Sequence, residues 1–321
     1  MTTPTMHSLR AALADLDGEV LSLGGKRGHR AASLIHHIAF GKSVSDDDMM
    51  AALATERAAR PDYKPGPAGK SVAILTAYGI ATHKLEMQPY TFSTALLARN
   101  VTALAADPTV EAVTIFFDTP GGQVTGTPEA ADAIWQARKR KPIIGAIDSL
   151  AASAGLWLAS QCSHLMAIGE TAEAGSIGCF LLTVEYSRAL AAAGITPLLI
   201  SNEQSPYKTE GNMFEPASDA FRKHEQKEVN AVGRQFIGAV ARGRGVTPAD
   251  VESKFGQGRC LRAPDAKRVG LIDSIGDVGA ALRLATSPSA IRAARLAAAR
   301  ERAAPKSESH RLRRLALLRN A

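Results

Sequence analysis

Between positions 71 and 200 short apolar runs alternate with amphipathic helical stretches, and this alternation restricts the possible folds more than any other feature of the chain. Residues 72–75, 112–117, 143–147, 165–168 and 196–200 read as strands, and residues 91–106, 128–138, 154–160 and 185–193 read as helices. Strands separated by helices pair in parallel through crossovers, so the pattern predicts an α/β domain with a largely parallel sheet flanked by helices. Functional loops of such a domain gather at one edge of the sheet. A loop at 201–213, a long polar helix at 217–241, a helix opening at Thr247-Pro248 and a turn-rich stretch at 258–279 complete it. The expected division is a helical N-terminal segment and linker (1–66), this domain (67–286) and a basic tail expected to be disordered (287–321). Within the first part, Ser45 followed by Asp46, Asp47 and Asp48 marks a helix start.

The charge distribution narrows the partners. From Ser287 onward there are nine Arg or Lys against Glu301 and Glu308, which accounts for the whole net charge of +7. The domain itself is neutral, so nucleic acid is not an expected partner except through the tail, where Leu312, Leu315 and Leu318 share one side of a short basic helix. Cys162, Cys179 and Cys260 lie far apart, without metal-ligand spacing, and read as reduced thiols. His29, His36 and His37 lack carboxylate or cysteine partners at a useful interval, so neither a metal nor a cofactor is expected. No secretory signal is legible, and no run approaches the roughly 20 apolar residues of a membrane helix. A cytoplasmic chain without a transmembrane segment is the expectation, host cytoplasm if it is phage-encoded.

The stretch 143–178 carries the most chemistry. Ser153 stands where a strand hands over to a helix, with small neighbours Ala151, Ala152, Ala154 and Gly155 that let a substrate backbone approach. The first amides of a helix lack intrahelical partners and attract developing negative charge. Two readings of Ser153 stay open at this point: a helix N-cap or a nucleophile. Pro120-Gly121-Gly122 follows a strand and reads either as a tight turn or as a source of uncovered backbone amides. Lys208 lies in a Gly/Pro-containing loop, where a solvated charge is the ordinary reading.

Taken together, Pro120-Gly121-Gly122, Ala151-Ala152-Ser153-Ala154-Gly155, Gly175-Ser176-Ile177-Gly178 and Lys208 resemble the signal peptide peptidase A (protease IV) family of serine peptidases. The resemblance covers about 71–285 and implies a Clp/crotonase-like fold. It implies that Ser153 is the nucleophile, Lys208 the general base and Ser176 the group that aims the lysine. Gly122 and Ala154, beside Gly121, are implied as the oxyanion hole. A lysine acts as base only when neutral, which requires its pKa to fall well below about 10.4 through desolvation; Tyr207, Met213 and Phe214 are the expected apolar cover. Asp118-Thr119 departs from the Asn-Ser more usual in the family, and the membrane anchor is lacking. The missing anchor, the extra N-terminal segment and the basic tail favour the phage and prophage branch, soluble members that cleave capsid scaffold and head proteins. A polypeptide substrate and a homo-oligomer are implied, with the dyad completed within one protomer or by a neighbour.

Other readings explain less. A Clp-type triad needs a histidine near 175–178, and an α/β-hydrolase needs Gly-x-Ser-x-Gly, where Ala151 takes the place of the first glycine. Ser205-Pro206-Tyr207-Lys208 matches a Ser-x-x-Lys pattern without its Ser-Asp-Asn and Lys-Thr-Gly partners. A crotonase-like acyl-CoA enzyme leaves Lys208 unexplained. A bacterial signal-peptide-peptidase-like protease and a catalytically silent capsid assembly factor remain the alternatives to a capsid maturation protease.

Overall fold

The computed structural model describes residues 20–23, 71–84, 90–287 and 289. The helix start at Ser45, the three N-terminal histidines and almost all of the basic tail lie outside these residues.

Among the described residues, ten strands form one sheet. The strands are β1 (Val20–Leu23), β2 (Ser71–Thr82), β3 (Thr91–Ser93), β4 (Val110–Gln123), β5 (Ile143–Ala152), β6 (His164–Ile168), β7 (Glu173–Gly175), β8 (Phe180–Leu181), β9 (Cys260–Arg262) and β10 (Ser274–Gly276). β2, β4, β5, β6 and β10 pair in parallel, as the alternating pattern predicts, and β3 and β7 join in parallel at the edges of β2 and β5. The antiparallel pairings are β1 with β4, β8 with β1 and β9 with β7.

Residue parity along the central strands decides which layer each side chain enters. Val113, Ile115 and Phe117 of β4, with Ile143 and Ile147 of β5, are buried against α1 (Thr94–Ala106), α2 (Thr127–Ala137) and α3 (Ala154–Ala159). Ala112 and Phe116, with Ile144 and Ala146, are buried on the opposite face, where Ala281 and Ala285 of α8 (Val278–Ala285) cover them. The remaining helices are α4 (Ser187–Ala192), α5 (Asp219–Arg244), α6 (Pro248–Lys254) and α7 (Ala263–Arg268). α5 joins the first layer through buried Phe236 and Val240. Among the described residues no helix is long and apolar enough to cross a membrane.

Four local readings need correction. Residues 91–93 are a strand rather than the first helical turn, because the Ser93 hydroxyl accepts from Leu96 N at 3.1 Å and caps α1 there. Pro120-Gly121-Gly122 is not a turn: β4 runs through it, with Gly121 and Gly122 paired to Ile80 and Ala81 of β2. Residues 196–200 form no strand, and Leu198 and Ile200 are each 82% exposed. Val20–Leu23, within the segment read as helical, is extended and sheet-paired.

Candidate active site

β5 runs without interruption to Ala152, and α3 begins at Ala154, so a single residue makes the strand-to-helix elbow. That residue is Ser153. Its φ of 55° and ψ of −123° lie in a region that L-residues rarely adopt, and surrounding structure must hold such a conformation in place. The amide of Ser153 donates to Gly175 O at 2.9 Å, and its carbonyl accepts from Trp157 N at 2.9 Å. Ser153 occupies the N-cap position of α3, but its side chain makes no capping hydrogen bond to the helix. The hydroxyl instead points toward Gly178 O, 3.5 Å away, and the residue is fully buried in the chain.

Gly122 and Gly155 show why glycine is needed around the elbow. Gly122 has φ 158°, and a Cβ there would meet Ala81 O at 2.1 Å and Ala81 N at 2.6 Å. The sheet pairing with β2 therefore excludes any side chain at that position. At Gly155 a Cβ would meet Thr119 Cγ2 at 2.2 Å, so α3 lies directly on β4. Thr119, named from the sequence only as part of a departure from Asn-Ser, contributes to the site's framework. Its hydroxyl accepts from Gly121 N at 3.1 Å, which commits the Gly121 amide to the Thr119 side chain and leaves Gly122 as the neighbouring glycine. Asp118 accepts from the Ser149 hydroxyl at 2.6 Å, tying the ends of β4 and β5 together. The signal available for both residues is a polar pair directly before Pro-Gly-Gly.

Ser176 follows β7, whose pairing to β5 sets Gly175 opposite Ala152 and so places Ser176 beside Ser153. It too has a positive φ, 56°, is buried, and donates its amide to Arg259 O at 2.9 Å. Gly122, Ser153, Ala154 and Ser176 are thus gathered at the ends of β4, β5 and β7. Lys208 is exposed in a turn where its amide donates to Ser205 O at 3.1 Å. Of the expected apolar cover, Tyr207 is 73% exposed, Phe214 39% exposed and Met213 half-buried in the single chain.

α3 is fixed at its far end as firmly as at the elbow. Arg138 donates to the carbonyls of Gln161, Cys162 and Gly243 at 3.0 to 3.2 Å, and Arg242 donates to Gln161 Oε1 and Asp132. Trp157 stacks on Phe236 of α5 with ring centroids 4.5 Å apart. Burial pushes the Cys162 and Cys260 thiols up to about 12, so both are protonated bystanders near neutral pH. Among the described residues no group of three His, Cys, Asp or Glu side chains could hold a metal ion.

Residues 136–292 match the model of Peptidase family S49. The head-tail preconnector protein GP5 of Enterobacteria phage P21 is 33% identical over 173 residues, 53% of this chain and 34% of that protein. Capsid assembly protease C of Escherichia phage lambda is 31% identical over 210 residues, 62% of this chain and 47% of that protein. The chain thus spans at most about half the length of these two curated relatives. Among solved structures, a ClpP1 variant from Listeria monocytogenes is similar at 15% identity and TM-score 0.41, over 65% of this chain and 94% of that one. The segment similar to Peptidase family S49 includes the Ser153 elbow, the Gly175-Ser176 corner and Lys208.

Proposed function

We propose that this chain is a serine endopeptidase that hydrolyses peptide bonds in extended segments and acts in phage or prophage capsid maturation. The observation that carries the reading is Ser153: buried and held at φ 55° in a one-residue elbow between Gly122 and Ser176. Backbone strain of this kind clusters at reacting groups, where the surrounding structure holds a side chain ready. In this reading the Ser153 hydroxyl attacks the scissile carbonyl, and the amides of Gly122 and Ala154 stabilise the oxyanion. Lys208 takes the serine proton and passes it to the leaving amine, while Ser176 aims the lysine.

The exposure of Lys208 makes assembly part of the mechanism. Its segment also displays Ile195, Leu198, Ile200 and Tyr207, each more than half exposed, an apolar surface that packing against a second copy would bury. Closing that surface would set Lys208 among apolar side chains rather than in water. The relatives' names, a capsid assembly protease and a head-tail preconnector protein, support capsid scaffold or head proteins as substrates. The test is to incubate the purified protein with casein or a capsid scaffold protein beside Ser153→Ala. Cleavage that is lost in the variant supports the reading; unchanged cleavage in Ser153→Ala, or none by either chain in the assembled state, refutes it.

A further inference from the structure

At the Thr119↔Ala151 pair β5 leaves β4, and β4 continues through Pro120 to Gln123 without it. One edge of this extension is taken by β2, through Ile80↔Gly121 and Ala81↔Gly122. Its other edge is taken by β1, antiparallel, with Leu23, Ser22 and Leu21 opposite Gly121, Gly122 and Gln123. The far edge of β1 pairs with β8, again antiparallel, through Val20↔Leu181 and Leu21↔Phe180. β1 therefore fills a slot one strand wide, about 9–10 Å between its walls, since neighbouring strands lie about 4.8 Å apart. Two residues beyond the Thr119↔Ala151 pair on each chain stand Gly121 and Ser153, so the slot opens beside the elbow.

A slot of this kind binds extended peptide through backbone hydrogen bonds along both walls, whatever the side chains. We propose that Val20–Leu23 is an internal competitor for this groove, an autoinhibitory strand that an extended polypeptide must displace to reach Ser153; this rests on reading the groove as the substrate site. The sequence Val-Leu-Ser-Leu is suited to such competition, having no charge and no proline to prevent pairing, and the chain resumes with Gly24-Gly25. Four residues bind weakly on their own. Their connection to β2 through residues 24–70 supplies an effective concentration of order millimolar, so they hold the groove at any protein concentration.

The experiment breaks β1 in the full-length chain. Alternate backbone groups of a strand face opposite neighbours, so Leu21→Pro with Ser22→Pro removes one donor toward β4 and one toward β8. With the groove free in about a tenth of the unaltered molecules, the variant's KM for a peptide substrate falls roughly tenfold at unchanged kcat. In a Ser153→Ala background, a fluorescent peptide of residues 17–25 should bind the proline variant more tightly by the same factor. Equal KM and equal peptide affinity in the two chains overturn the proposal. Hydrogen exchange on the chain without prolines guards against misfolding of the variant: amides 20–23 should lose protection when a saturating extended peptide is added, and unchanged protection counts against displacement. If no chain cleaves peptides, the peptidase reading has failed, while binding and exchange still decide whether β1 competes for the groove.

Discussion

At Gly155 the packing of α3 on β4 rests on a single missing methyl group. Gly155→Ala places a Cβ 2.2 Å from Thr119 Cγ2, and overpacking of this kind costs about 1–3 kcal/mol. Thr119→Ser deletes that methyl while keeping the hydroxyl that accepts from Gly121 N. The double variant Thr119→Ser/Gly155→Ala should therefore be more stable than Gly155→Ala alone, a coupling that urea denaturation of the four chains measures directly. Additive losses would show that the two residues do not share this contact. The site residues differ in how far their sequence context exposes them. Ser153 is legible because small residues bracket it between a strand and a helix. Its positive φ is not, since nothing local in Ala-Ala-Ser-Ala-Gly demands it; the pairing of β5 with β7 and the Ser153 N to Gly175 O bond impose it. The wide spacing of the cysteines points to reduced thiols, and all three are free in the structure. With Cys162 and Cys260 raised to about 12 by burial, neither should react with iodoacetamide in the folded protein at about pH 8, whereas both should after denaturation.

The elements around the elbow are held by α5, whose inner face carries two separate supports. Phe236 is fully buried against Trp157, so Phe236→Ala should cost about 3–5 kcal/mol and lower activity by loosening α3, measurable as a shift in denaturation midpoint and a fall in kcat. At the end of α5, Arg244 donates to Asp273 at 2.5 Å, and the second carboxylate oxygen accepts from Leu165 N at 2.7 Å. Burial alone would raise the Asp273 pKa, but the Arg244 bond and charge, the Leu165 amide and the nearby His164 outweigh it, and the pKa is lowered. A depressed carboxylate stabilises the fold above its unfolded pKa of about 3.9 and loses that contribution as pH falls through the folded value. Asp273→Asn should thus be less stable than the unaltered chain at about pH 7, with the gap closing below about pH 4. A gap that stays constant down to about pH 3 would contradict this. The apolar periodicity predicts the central parallel strands and their helices because those residues meet partners within the same domain. Residues 196–200 mislead for the complementary reason: Leu198 and Ile200 look like buried strand residues, but the single chain leaves them exposed. β1 is not legible because its short run becomes a strand only by entering a slot whose two walls lie far along the chain, at Gly121–Gln123 and Phe180–Leu181.

The whole molecule is built as an incomplete enzyme in this reading, with nucleophile and oxyanion donors prepared in one protomer and the base left exposed beside an unburied apolar surface. The assembled form should be the active one. Light scattering should find a homo-oligomer wherever peptide cleavage is observed, and replacing Leu198 and Ile200 with Asp should reduce assembly and activity together; a fully active monomer would separate the two. Ser153→Ala and Lys208→Ala should each remove nearly all turnover, by about 10⁴-fold or more, without adding in combination, because residues of one catalytic unit fail together. Lys208→Arg should fail equally, since arginine does not deprotonate. The most direct measurement is the mass of the assembled protein and its tryptic peptides after treatment with a serine-directed fluorophosphonate. A Ser153 nucleophile activated by Lys208 predicts one adduct per chain, on Ser153, in the unaltered protein and almost none in Lys208→Ala. An adduct on a different residue, no adduct at all, or equal labelling of Ser153 without Lys208 would contradict it.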